Sequence, residues 1–95
     1  ATWQEERPEL AIIDVREPFE WWEGHIEGAI HLPMREALGR LREIPADRPK
    51  AVICSGGLRS STVISALTRE GLRGFYNVDG GMTAWQKAGY LTVTV

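Results

Sequence analysis

The sequence is expected to fold as one small α/β domain, an open parallel sheet flanked by helices on both faces. Two observations predict this. Short apolar or β-branched runs at 10–15, 51–53 and 75–78 alternate with helix-compatible stretches, the pattern of strands joined by crossover helices. The first run, Leu10-Ala11-Ile12-Ile13-Asp14-Val15, is almost wholly apolar, as a strand covered on both faces requires. A chain of 95 residues, 43% hydrophobic and 25% charged, suits a single soluble globular domain.

In chain order, Ala1 to Glu9 is polar and reads as the end of a helix or loop. In the first strand, Asp14 interrupts the apolar end. A carboxylate buried there needs donors, and Arg16 is the local candidate, so Asp14, Arg16 and Glu17 are expected to form a structural polar network. Glu17 to Glu23 fits a short helix with Pro18 in its first turn, ended by Gly24. His25 to Pro33 reads as a turn and a short strand. His25 and His31 lack partners at metal-ligand spacing and are expected to be structural. The pair Trp21-Trp22 is expected to be partial core or surface cover.

Met34 to Ile44 is expected to be an amphipathic helix burying Leu38, Leu41 and Ile44. Pro45 to Pro49 is a linker into the next strand, Ala51-Val52-Ile53. A helix is expected over Ser60 to Arg69, followed by Gly71. Phe75 to Val78 reads as a strand and Asp79-Gly80-Gly81 as a turn. Met82 to Ala88 reads as a helix anchored by Trp85 and ended by Gly89. Leu91 to Val95 alternates as an edge strand would.

The chemistry is concentrated in Cys54-Ser55-Gly56-Gly57-Leu58-Arg59-Ser60-Ser61. The stretch leaves a strand, passes through a glycine turn and enters a helix. In such a turn, backbone N–H groups converge and the helix dipole adds positive charge, a pocket for an anion. Cys54 is the only cysteine, so it forms no intramolecular disulfide and lacks a second thiol for a metal site. A free thiol with a pKa of about 8.5 is only a few per cent ionised at pH 7, and stabilising the anion by about 2.7 kcal/mol makes the nucleophilic form the majority. Arg59 adds a planar fork able to hold an anion beside the sulfur.

No metal or cofactor is expected. A net charge of −2 with mixed signs argues against nucleic acid as a partner. No apolar run approaches a membrane span and no signal-peptide pattern opens the chain, so a cytoplasmic setting is expected, with no membrane partner.

These residues resemble the rhodanese-like domain, a single-domain sulfurtransferase. The resemblance rests on Asp14-Val15-Arg16-Glu17, Gly24-His25-Ile26 followed by Gly28-Ala29 and Pro33, the Cys54–Ser60 stretch, and Asp79-Gly80-Gly81 with Ala84-Trp85 and Ala88-Gly89. Their order and spacing span residues 14–89. The resemblance implies a thiosulfate sulfurtransferase. Cys54 takes a sulfane sulfur from a small anionic donor such as thiosulfate, holds it as a persulfide, and passes it to cyanide, a thiol or a protein acceptor. It further implies that Ser55, Gly56, Gly57, Leu58 and Ser60 form the substrate loop, that Arg59 binds the donor's anionic group, and that Asp14 and Arg16 support the loop. The whole chain, 1–95, is expected to be one such domain whose opening strand is clipped or replaced from the other end by the alternating tail.

Two other functions use similar residues. A cysteine phosphatase or arsenate reductase also places a thiolate in an anion loop before a helix. The related phosphatases, however, place five residues between cysteine and arginine, and four stand between Cys54 and Arg59. A non-catalytic interaction domain would instead use Trp3, Trp21 or Trp22, but it has no physical need for a thiol in an anion nest.

Overall fold

The computed structural model describes residues 9–78 and 80–88. Strands β1 (Ala11–Asp14), β2 (Ile30–His31), β3 (Lys50–Ile53) and β4 (Phe75–Asn77) form one sheet in the order β2-β1-β3-β4. Every pairing is parallel. Asp14 stands opposite His31 on one side and Ile53 on the other, and Val52 stands opposite Asn77. The helices are α1 (Pro18–Glu23), α2 (Leu58–Arg69) and α3 (Gly81–Lys87). The expected edge strand at Leu91–Val95 lies outside the described residues, as do Trp3, Asp79 and Gly89.

The two-residue period of the central strands creates two cores. Ile13, Val15, Val52 and Cys54 face one side, where they pack with Ala37, Ile44, Val63 and Leu67. Ile12 and Ile53 face the other and pack with Ile26, Met82 and Trp85. Helix α2 therefore covers one face and α3 the other, with Trp85 as the anchor. Burying each of these larger side chains contributes about 1.5 to 3 kcal/mol.

The expected helix over Met34–Ile44 is two 3-10 segments, Met34–Gly39 and Leu41–Glu43. The break falls at Arg40, whose φ of −129° and ψ of 35° leave the helical region. Its guanidinium joins the two pieces, donating to Glu36 at 2.9 Å and to Glu43 at 2.6 Å. Ala37 and Ile44 are buried and Leu41 is half-buried, whereas Leu38 is 53% exposed. One continuous helix would have kept Leu38 on the face of Leu41 and Ile44; the break at Arg40 reorients the second segment, and Leu38 is left outward.

Helix α2 starts at Leu58 rather than Ser60. Gly57 is its N-cap, with φ +103°, a conformation that favours glycine. Arg59 and Ser60 consequently belong to the first helical turn, and the connecting loop shortens to Cys54–Gly57.

Candidate active site

Cys54 directly follows β3 and is 1% exposed. As Gly57 has no side chain with which to cap α2, the first-turn N–H groups are left without an internal acceptor. The sulfur of Cys54 takes that role. The Gly57 N–H donates to Sγ at 3.0 Å, and the N–H groups of Gly56 and Ser60 also favour its anion. Burial pushes the thiol pKa up. The Ser60 hydroxyl and the three backbone N–H groups outweigh burial and hold it below the ordinary thiol value.

Ser60 is fully buried on α2, and its hydroxyl lies 3.5 Å from Sγ. The same hydroxyl is hydrogen-bonded to the Gly57 carbonyl at 3.0 Å and to Asn77 Oδ1 on β4. Asn77 Nδ2 in turn donates to the Gly57 carbonyl at 3.3 Å. Asn77 is absent from the residues singled out in the sequence. It reaches the site because β4 pairs with β3, which no local pattern encodes.

The floor of the loop is α3. The N–H of Met82 donates to Cys54 O at 2.7 Å and that of Thr83 to Ser55 O at 3.2 Å. Such close approach needs a glycine at the helix start. A Cβ on Gly81 would fall 2.2 Å from Cys54 O and 2.6 Å from Ser55 O. The turn glycine thus has a role at the site that its sequence context did not reveal.

Asp14 and Arg16 form a buried polar network, while Glu17, expected to join it, instead places its carboxylate 3.4 Å from Arg35. Arg16 Nε and Nη2 donate to the Asp14 carboxylate at 2.9 Å and 2.7 Å, and the Arg16 backbone N–H adds a bond of 3.0 Å. Arg16 Nη2 also donates to Gly24 O at 2.9 Å, tying the end of α1 to the end of β1. The two histidines are structural donors. His25 Nδ1 bonds the Trp21 carbonyl at 2.8 Å and His31 Nε2 bonds the Arg16 carbonyl at 2.9 Å. Both rings stack with Trp21, at 3.5 Å and 4.6 Å.

Arg59 has a partner that the sequence reading missed. Its Nη1 and Nη2 donate to Glu20 Oε1 and Oε2 of α1 at 2.7 Å and 2.9 Å. This bidentate bond, with the Glu17 N–H donating to the same carboxylate at 3.0 Å, holds the Glu20 pKa down to about 2. Beside the pair, Leu58 is 81% exposed and Phe19 and Trp22 more than 60%. A polar cleft of about 320 Å³ adjoins the loop, lined by Arg16, Glu20, Glu23, Ser55 and Thr83 among others.

The profile of the rhodanese-like domain family matches residues 2–88. The thiosulfate sulfurtransferase GlpE of Pseudoalteromonas translucida is 31% identical over 83 residues, covering 87% of this chain and 79% of GlpE. A probable adenylyltransferase/sulfurtransferase of Mycobacterium tuberculosis, MoeZ, is 34% identical over 87 residues, covering 90% of this chain and 22% of MoeZ. This chain therefore spans about a fifth of MoeZ. Among solved structures, a rhodanese-related protein from Thermoplasma volcanium superposes with a TM-score of 0.87 at 34% identity, covering 96% of this chain and 90% of that one.

Proposed function

We propose that this chain, which belongs to the rhodanese-like domain family, is a sulfurtransferase with Cys54 as its nucleophile. In the first half-reaction the Cys54 thiolate attacks the sulfane sulfur of a donor. A new S–S bond forms, the donor's own bond to that sulfur breaks, and the donor residue leaves with the bonding pair. In the second, a thiol or cyanide attacks the outer sulfur and Cys54 leaves as the thiolate. Sulfane-sulfur compounds are the donor class, thiosulfate and hydropersulfides being its two chemical types, and the exposed apolar side chains of Leu58 and Phe19 suit a protein thiol as acceptor.

The observation that carries this reading is the polar cradle around sulfur: the Gly57 N–H donates to it at 3.0 Å, the Ser60 hydroxyl lies 3.5 Å away, and the thiol pKa is held below its ordinary value. Donors arranged in advance around a sulfur anion favour it both as nucleophile and as leaving group. The phosphatase reading also needs a general acid for its leaving group. Glu20, the carboxylate beside Arg59, is held at about 2 and is ionised at neutral pH. A nucleophilic thiol is best kept in a reducing compartment, which favours the cytoplasm.

The test is an intact-mass measurement after exposure to thiosulfate and, separately, to a hydropersulfide. The expected result is a gain of about 32 Da, one sulfur as a persulfide, which a reductant removes and Cys54→Ser does not acquire. Absence of the gain with both donors overturns the assignment.

A further inference from the structure

The cations around the loop are already matched. Arg59 spends both Nη groups on Glu20 at 2.7 Å and 2.9 Å. Arg16 is held by Asp14 at 2.7 Å, and Arg35 is placed 3.4 Å from Glu17 at the start of α1. Glu23 lines the polar cleft beside Arg16 and Glu20, and among the described residues it has no ion-pair partner. The remaining positive potential is that of the α2 N-terminus, whose N–H groups converge on the sulfur itself. The site is equipped to receive one anionic sulfur atom. Among the described residues it presents no uncompensated side-chain cation for a second anionic group, and an oxyanion bonding the open edge of Arg59 would lie beside the Glu20 carboxylate.

We infer that Glu20 is a specificity-determining residue, which by holding Arg59 turns the site away from dianionic oxyanion donors such as thiosulfate and toward hydropersulfides, R–S–SH. The inference rests on the sulfurtransferase reading above. In the step it favours, Cys54–S⁻ attacks the outer sulfur of R–S–SH, the donor's S–S bond breaks, and R–S⁻ departs with the bonding pair, giving Cys54–S–SH. The proton stays on the transferred sulfur. Charge and atoms balance, and no external oxidant or reductant is required.

The experiment compares rates of Cys54 loading, read by intact mass, for thiosulfate and for the hydropersulfide of 2-mercaptoethanol. It uses the unaltered protein and Glu20→Gln. Glutamine keeps an oxygen for the Glu17 N–H, which bonds Glu20 Oε1 at 3.0 Å, while removing the charge. The thiosulfate rate is expected to rise about tenfold or more and the hydropersulfide rate to change less than about threefold, since juxtaposed like charges are strongly unfavourable. A merely structural role for Glu20 would lower both rates together, so an unchanged ratio, or one that moves toward the hydropersulfide, overturns the inference. Salt gives a second test without a variant. Between about 0.01 M and about 0.15 M ionic strength the Debye length falls from about 30 Å to about 8 Å. Thiosulfate loading is expected to hold steady or quicken over that range, and a severalfold fall, the mark of a steered anion, overturns the inference. Failure of the unaltered protein to load from either donor instead strikes the sulfurtransferase reading.

Discussion

The Met82 N–H donates to the Cys54 carbonyl oxygen at 2.7 Å, so the proposed nucleophile is fixed by a helix on the far side of the sheet from the one its sulfur caps. Gly81 makes the approach possible. Gly81→Ala places a methyl group 2.2 Å from that same oxygen in a residue with φ +55°. We expect a loss of roughly 1 to 3 kcal/mol and impaired sulfur loading, measured by urea unfolding and intact mass. Gly56→Ala is the control, since a Cβ there meets nothing within 4 Å, and its stability should stay within about 0.5 kcal/mol.

Ser60→Ala should raise the Cys54 thiol pKa, because the hydroxyl 3.5 Å away is one of the groups that lower it. Asn77→Ala should do so by less, through loss of the hydrogen bond that orients Ser60. Thiolate ultraviolet absorbance reads both cleanly in a chain with one cysteine. The sign in stability follows. A lowered folded pKa stabilises above the unfolded thiol value of about 8.5 and loses that contribution as pH falls through the folded value. The gap between wild type and Ser60→Ala should therefore widen at alkaline pH.

Arg59→Lys replaces a bidentate fork with a point charge, and a partly exposed pair of this kind contributes about 1 kcal/mol. Glu20 has its pKa depressed to about 2, so its contribution is complete above the ordinary carboxylate range and lost as pH falls through about 2. The stability difference between wild type and Arg59→Lys should be constant near neutrality and should shrink in acid. A difference that grew below pH 4 would contradict the ion-pair assignment.

Asp14→Asn leaves the Arg16 guanidinium buried and without its counter-charge, as the Arg16 side chain is 8% exposed and that of Asp14 is fully buried. Removing one member of a buried pair costs roughly 3 to 5 kcal/mol. The midpoint of chemical denaturation should fall accordingly.

What was legible in the sequence was local. Asp14 and Arg16 are two residues apart, and an interrupted apolar strand announces both the carboxylate and its need for donors. Cys54, Gly56 and Gly57 compress strand end, turn and helix start into a few positions, so the thiol's setting is written almost consecutively. The remainder depends on contacts between elements. Glu20 and Arg59 are 39 positions apart, and Ser60 and Asn77 are 17 apart. Glu20 looks from its own neighbourhood like an ordinary first-turn acid. The error at Met34–Ile44 has a different origin, since Leu38, Leu41 and Ile44, spaced by three, fit a 3.0-residue period as well as a 3.6-residue one. The spacing does not reveal the break at Arg40, which parts Leu38, 53% exposed, from Leu41 and Ile44.

The all-parallel sheet also bears on how the chain reaches its native state. Ala11 pairs with Lys50, and Lys50 with Phe75, so neither central pairing can begin as a hairpin, and each must close a long crossover first. Loop-closure entropy precedes the reward of strand pairing, which slows topologies rich in distant contacts. During synthesis, β1 waits for β3 with an apolar edge uncovered, and the sulfur cradle assembles only after α3 has emerged to pin Cys54 from below. Chaperone dependence and losses to aggregation during refolding should consequently track changes in β1 and β3 more closely than changes in the loop itself.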